Sequence, residues 1–451
     1  MTPTEERWIA SLAKMALAGE WEAAALLERG QVWLGSRPRW WLRLVHRLLR
    51  QFGPGTRPRL SRVESFLRRD PWLRKVLLKG DLKGDANPPE PVQCAARGRP
   101  ATWKLPSFTR PVELASWLRV SVGELEWLAD AQGWRSGEAC ERLGHYHYRW
   151  LRKRDGSARL IESPKQHLKL IQRGLLDAVV SAIPAHESAH GFQPGRSTLT
   201  HVGPHIGREV VLKYDLRDFF TRVTRPRVQA VFRTAGYPEA VAALLAALCT
   251  HRTPARIWRQ FPGFETDPLI RARARNWQCP HLPQGAPTSP ALANLVAYRL
   301  DCRLAGLAKA AGASYTRYAD DLLFSGGSEL ARGAERFGIM VGAIALEEGF
   351  ELNTRKTRVL RRGVAQRAVG LVLNDRINVP RAEYDRLKAI LHHCVRQGPA
   401  GQNREGVPDF AAHLAGRVAY VTQTNPQRGA RLQQWLDQID WSRSSESAAA
   451  T

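Results

Sequence analysis

The chain is 451 residues long, 43% hydrophobic and 24% charged, with 15 tryptophans, which excludes a disordered protein and a small stapled module and sets an expectation of two or three folded domains. Its 68 Lys and Arg against 42 Asp and Glu leave a net charge of +26 and a pI near 10.6, a surplus that repels itself unless a polyanion offsets it, so nucleic acid is the first partner to expect. A membrane partner is not expected: no apolar run reaches the roughly 18 residues of a spanning helix, and the N-terminal segment lacks a signal peptide's basic start and apolar core, which points to a cytoplasmic protein.

Residues 1–80 read as a basic helical N-terminal domain. Trp41, Leu44, Val45, Leu48 and Phe52 fall on one face of a 3.6-residue period, and Arg43, Arg47 and Arg50 on another. Between 37 and 79 there are 13 Arg or Lys and two acids, Glu64 and Asp70, so the segment either clamps a phosphate backbone or presents a solvated face on a helical core. Residues 81–107, rich in Pro, Gly and small side chains, read as a linker. Beyond it, Ser121 and Glu124 have the spacing of a capping box ahead of Leu125, Trp127 and Leu128.

From about 145 the pattern changes to short strands and helices. HYRWLRKRDGSARLIESP reads as a hairpin turning at Asp155-Gly156, followed by a helix in LKLIQRGLLDAVVSAI. VVLKYDL (210–216) reads as a buried strand, 291–310 as one helix, and YTRYADDLLFSG (315–326) as a hairpin around two carboxylates. Sheet backed by helices makes the expected class α+β. The six cysteines contain no CxxC pair, which argues against a disulfide framework. Cys249, His251, Cys279 and His281 offer four zinc ligands at unusually tight spacing, with buried thiols and loop histidines as the plainer alternative.

The acidic residues carry the chemistry. Asp215 ends an apolar strand, and Asp320 and Asp321 share a tight turn, where adjacent carboxylates repel unless a cation or another partner is near. Magnesium takes few protein carboxylates and completes its shell with water and phosphate oxygens, so three aspartates on neighbouring strands suffice for metal-assisted nucleotidyl transfer.

The surrounding residues resemble a known family. Tyr318-Ala319-Asp320-Asp321 is similar to the YADD box of retron and group II intron reverse transcriptases, Asp215-Leu-Arg-Asp218-Phe219-Phe220 to their first palm motif, and LPQGAPTSPALANL (282–295) to their most extended signature. RLIESPKQHLKLIQ, HGFQPGRS (190–197), LNTRKT (352–357) and VGLVLN (369–374) extend the resemblance over about 145–380, in the family's order, and more weakly to about 440. It implies a right-hand polymerase with fingers and palm in 108–380 and a helical thumb in 381–445. Two magnesium ions would sit on Asp215, Asp320 and Asp321. Lys153, Arg159 and Gln284 would bind the nucleotide, Phe220 would gate the sugar, and Lys356 would give a proton to pyrophosphate. Phe219 reads as core.

The resemblance further implies copying of a structured non-coding RNA that serves as template and primer, from a 2′-OH, with dNTPs, into a branched RNA–DNA product, often beside an effector protein in antiphage defence. An intron-type or other defence-associated enzyme and a non-catalytic RNA-binding protein are the alternatives. Two departures stand out: Ala368-Val369-Gly370 replaces the Val-Thr-Gly of many retron enzymes, and 251–280 is a long segment with six arginines that could touch template RNA.

Overall fold

The computed structural model describes residues 3–17, 21–36, 38–53, 60–78, 103–130, 144–152, 158–261 and 276–444, with positions 58, 264, 266, 271 and 274 between them. Lys153, the Asp155-Gly156 turn, residues 81–102 of the linker and part of the 251–280 segment lie outside the described residues.

Five helices, Pro3–Leu17, Ala23–Leu34, Arg39–Phe52, Leu60–Arg69 and Pro71–Leu78, share a core of their own around Ile9, Leu12, Leu26, Trp41, Leu48, Leu67 and Leu73. Trp41 is buried with Leu44, Val45 and Leu48, as the periodicity expects, and its indole Nε1 donates to the Leu26 carbonyl at 3.2 Å. Gly30 makes room for that ring, because a Cβ there would stand 1.8 Å from Nε1.

Helices Pro111–Leu118 and Val122–Ala129 follow. Ser121 caps the second by accepting from the Glu124 N–H at 3.1 Å, but the reciprocal half of the expected capping box is replaced: the Glu124 carboxylate faces His167 Nδ1 at 3.5 Å. Strands β1 (Tyr146–Arg152) and β2 (Ala158–Pro164) pair antiparallel, as expected. The next helix, Gln166–Leu175, widens into a π turn over Leu176–Val180, so the helical expectation holds with a change of pitch.

The central sheet contains β3 (Val210–Asp215), β4 (Ser314–Tyr318), β5 (Asp321–Gly326) and β6 (Arg358–Arg361), all antiparallel in the order β4-β5-β3-β6. Both faces are covered. Val210, Leu212 and Tyr214 pack with Leu322 and Phe324 against helices from 225–249, 289–310 and 334–347, while Val211 and Leu323 pack with Leu387, Leu391, Leu414, Val418 and Leu432 of the C-terminal helices Arg381–Gln397, Phe410–Thr424 and Pro426–Asp437. The strand alternation thus feeds two cores at once.

The single helix expected over 291–310 is two, Ser289–Val296 and Tyr298–Ala310, interrupted at Ala297 (φ −80°, ψ 0°). A last hairpin joins β7 (Arg367–Ala368) to β8 (Leu371–Val372) through Val369 and Gly370, both at positive φ (43° and 82°) as a two-residue hairpin turn of the mirror-image type demands. No helix among the described residues is long and apolar enough to cross a membrane.

Candidate active site

The three aspartates meet because two strand ends do. Asp215, last in β3, lies opposite Asp321, first in β5, and Tyr318 lies opposite Asp321 across the β4–β5 hairpin, which leaves Ala319 and Asp320 as its two turn residues. Ala319 takes φ 55°, a conformation hairpin turns usually give to Gly or Asn. The Leu216 N–H donates to the Asp320 carbonyl at 2.8 Å, tying the turn to the residue after Asp215.

Asp215 is buried. Its Oδ1 accepts from Asn353 Nδ2 at 3.1 Å and its Oδ2 from Lys356 Nζ at 2.7 Å, while Asp321 Oδ1 is 3.2 Å from Lys213 Nζ. Burial first, and then the charges of Asp215 and Asp321, push Asp320 up to about 6. Burial works against the Lys356 ammonium, but its hydrogen bond and charge pairing with Asp215 outweigh this and raise its pKa.

Among the described residues no group of three His, Cys, Asp or Glu side chains is arranged to hold a metal ion, and Lys356 and Lys213 are paired with Asp215 and Asp321. The donor chemistry nevertheless fits a divalent cation. Three hard oxygen donors share one sheet end, and Asp320 carries a charge cost that a cation there relieves.

Beneath the turn lies a buried polar network that sequence reading missed. Arg317 is fully buried and forks onto Asp301, Nε to Oδ1 at 2.7 Å and Nη2 to Oδ2 at 2.6 Å; its Nη1 donates to Asn294 Oδ1 at 2.8 Å and to the Ala319 carbonyl at 3.1 Å. Tyr315 donates to Asp301 Oδ1 at 2.7 Å, and Asn294 Nδ2 donates to the Gly191 carbonyl at 2.8 Å. Gly191 is pressed against the turn, since a Cβ there would lie 2.7 Å from the Ala319 nitrogen. One guanidinium therefore supports the strained residue between Tyr318 and Asp320. The available signal was Asp301 on the apolar stripe of its helix, between Leu300 and Leu304, and Arg317 inside a buried strand.

A reverse transcriptase (RNA-dependent DNA polymerase) family model matches residues 151–384. The retron Mx65 reverse transcriptase of Myxococcus xanthus is 42% identical over 74% of this chain and 72% of its own length, and the retron Mx162 reverse transcriptase of the same organism 37% identical over 72% and 66%. The retron Ec86 reverse transcriptase of Escherichia coli is 27% identical over 62% of this chain and 77% of its own. The chain belongs to the retron reverse transcriptases.

In this reverse transcriptase the other expected residues are placed as follows. Gln284 is half-buried beside β2, where its backbone carbonyl accepts from the Glu162 N–H at 2.7 Å. Gly285 (φ 130°) permits the approach, because a Cβ would meet the Glu162 carbonyl at 3.0 Å. Arg159 is exposed on β2 opposite Leu151. Phe219 is core, as expected; Phe220 is half-buried, its ring 6.3 Å from that of Phe192, whose own ring is 6.4 Å from Tyr318.

The zinc reading fails on geometry. His281 Nε2 pairs with buried Glu162 at 3.0 Å, His251 Nε2 with the Tyr148 hydroxyl at 2.7 Å, Cys279 is exposed, and burial pushes the Cys249 thiol up to about 12. These histidines lock the β1–β2 hairpin to the segment carrying Gln284.

Proposed function

We propose that this RNA-directed DNA polymerase copies a structured non-coding RNA into single-stranded DNA by two-metal nucleotidyl transfer, starting from a 2′-OH of that RNA to give a branched RNA–DNA product. The observation that carries the chemistry is the gathering of Asp215, Asp320 and Asp321 at one end of an antiparallel sheet. The similarity to retron enzymes supports the template, the priming and a setting in antiphage defence beside an effector protein.

In this reading β1–β2 and the following helices act as fingers, the four-stranded sheet as palm and residues 381–445 as thumb. Asp215, Asp320 and Asp321 would hold two magnesium ions, which when bound lower the pKa of the attacking hydroxyl and neutralise charge on the leaving pyrophosphate. Arg159 and Lys153 bind the triphosphate through charge-assisted hydrogen bonds, and Gln284 lines the nucleotide pocket. Lys356 gives its proton to pyrophosphate. Because its Nζ donates to Asp215 at 2.7 Å, transfer requires that Lys356 first exchange that carboxylate for phosphate oxygens. The Phe220 ring excludes a ribose 2′-OH, and Phe220→Ala is expected to increase ribonucleotide incorporation in competition assays.

Primer extension on an RNA template tests the metal assignment. Asp320→Asn with Asp321→Asn is expected to lower extension at least about a thousandfold while RNA binding persists; extension at the parental rate would refute the role of these residues. Product purified with the enzyme should contain DNA joined to RNA by a link that debranching enzyme cleaves. Unbranched product would retain the polymerase and remove the 2′-OH start.

A further inference from the structure

Trp72 is an anomaly in the N-terminal helical unit. It is 52% exposed, although Trp8, Trp21 and Trp41 of the same unit are buried. Its position is fixed rather than incidental. Asp70, itself buried, accepts from the Trp72 N–H at 2.9 Å and the Leu73 N–H at 3.0 Å, capping helix Pro71–Leu78, and the same carboxylate is 3.1 Å from Arg47 of helix Arg39–Phe52. One buried acid therefore sets the distance between two helices.

Cations from both helices lie over the exposed indole. The Arg43 guanidinium lies 5.1 Å and the Lys75 ammonium 5.5 Å from its ring centre. Trp40, Arg43, Leu44, Arg47 and Trp72 line one shallow depression there. The two acids between residues 39 and 78 are occupied, Asp70 by Arg47 and Glu64 by Arg68 at 3.7 Å. Among the described residues Arg43 and Lys75 have no carboxylate within ion-pair distance, so the patch is an exposed indole with two cations over its ring and no acid to offset them.

We propose that this patch is a second nucleic-acid site, outside the polymerase centre, that holds a single strand by stacking a base on Trp72 while Arg43 and Lys75 swing from over the ring to pair with its phosphates. A single strand is required because the base faces of a duplex are already stacked, and an exposed indole offers a planar partner to a free one. Charge favours a polyanion over a protein surface. The inference rests on the enzyme's handling of nucleic acid and not on the roles proposed for its aspartates. The strand is either the RNA flanking the copied region or the DNA product, which share this chemistry.

The test uses the full chain and a fluorescein-labelled 20-mer, as RNA and as DNA of the same sequence, in anisotropy titrations across a salt series. Trp72→Ala is expected to weaken binding on the order of tenfold with little change in salt slope, and Trp72→Phe to recover most of it. Arg43→Ala with Lys75→Ala should reduce the slope by about 1.4, for two phosphates at roughly 0.7 each. Loss for RNA alone, DNA alone or both supports the site and identifies the strand. Unchanged affinity and slope for both strands in both variants overturns it and leaves the patch to a protein partner. Extension of a short pre-annealed RNA–DNA primer–template is expected to stay at the parental level in these variants, so an inactive polymerase centre is distinguishable from a failed patch.

Discussion

Arg317 donates two hydrogen bonds of 2.7 and 2.6 Å to Asp301 with neither side chain reaching water, so each depends on the other for its charge. Arg317→Ala leaves a buried carboxylate without its partner, and urea denaturation is expected to show a loss on the order of 3–5 kcal/mol. Arg317→Lys is the sharper test, because it keeps the charge and loses the fork that reaches the Ala319 carbonyl and Asn294. That variant should fold, retain KM for dNTP and lose kcat by about tenfold or more as the turn loosens. A parental kcat would show that the guanidinium serves stability alone. Asp215, Asp320 and Asp321 were legible as letters because the metal chemistry proposed for them restricts such positions to carboxylates. Arg317, Asn294 and Asp301 were not singled out, because a buried partner is defined by what it faces, and facing is set by the fold.

The segment before β3 shows what strand and loop packing adds. Ala189 bridges Arg317 in parallel, and the His190 N–H donates to the Arg317 carbonyl at 2.7 Å, so this loop runs alongside β4 and brings Gly191 onto the Ala319-Asp320 turn. Gly191→Ala is expected to displace the turn, given the 2.7 Å approach to the Ala319 nitrogen, and to lower kcat by about tenfold with a small change in Tm. Gly174→Ala is the control, since it lies in helix Gln166–Leu175 with no atom near the added methyl, and it should leave kcat unchanged and stabilise by about 0.5–1 kcal/mol. Equal kcat in both variants would mean the close approach is not needed for catalysis. The motif HGFQPGRS was readable as a segment; that its glycine is a contact surface for YADD was not, since 128 positions separate Gly191 from Ala319.

Acid should destabilise the protein as a unit, because His201, His205 and His251 sit neutral. His205 bridges Ser325 at 2.7 Å and Thr316 at 2.8 Å, and Thr316 Oγ1 also meets His201 Nδ1 at 2.8 Å, forming a polar chain across β4 and β5. Burial lowers His201, His205 and His251 to about 3. The unfolded chain, with histidine near 6.5, therefore binds more protons than the folded one between about pH 6.5 and 3, so stability is full above that window and falls as pH drops through it. At pH 5 the loss is on the order of 1–2 kcal/mol for each of the three. Thermal unfolding should give a lower Tm at pH 5 than at pH 7, and His205→Asn should flatten that dependence; an equal Tm at the two values would contradict neutral burial.

The sequence by itself determined the α+β class, the basic helical start, the hairpins and the three metal-binding candidates, because alternation, helical period and the chemistry of phosphate transfer each restrict residue type locally. It also expected one helix over 291–310 and left zinc open at Cys249, His251, Cys279 and His281. Only the tertiary structure decided these: the chain breaks at Ala297, and His281 is drawn to Glu162 from a strand 119 positions away. It likewise decided that β3 serves two cores and that Asp215 is held by Lys356 and Asn353. Period and composition report which face of an element is buried, whereas the partner across that face depends on how distant elements pack, and no single segment carries that information.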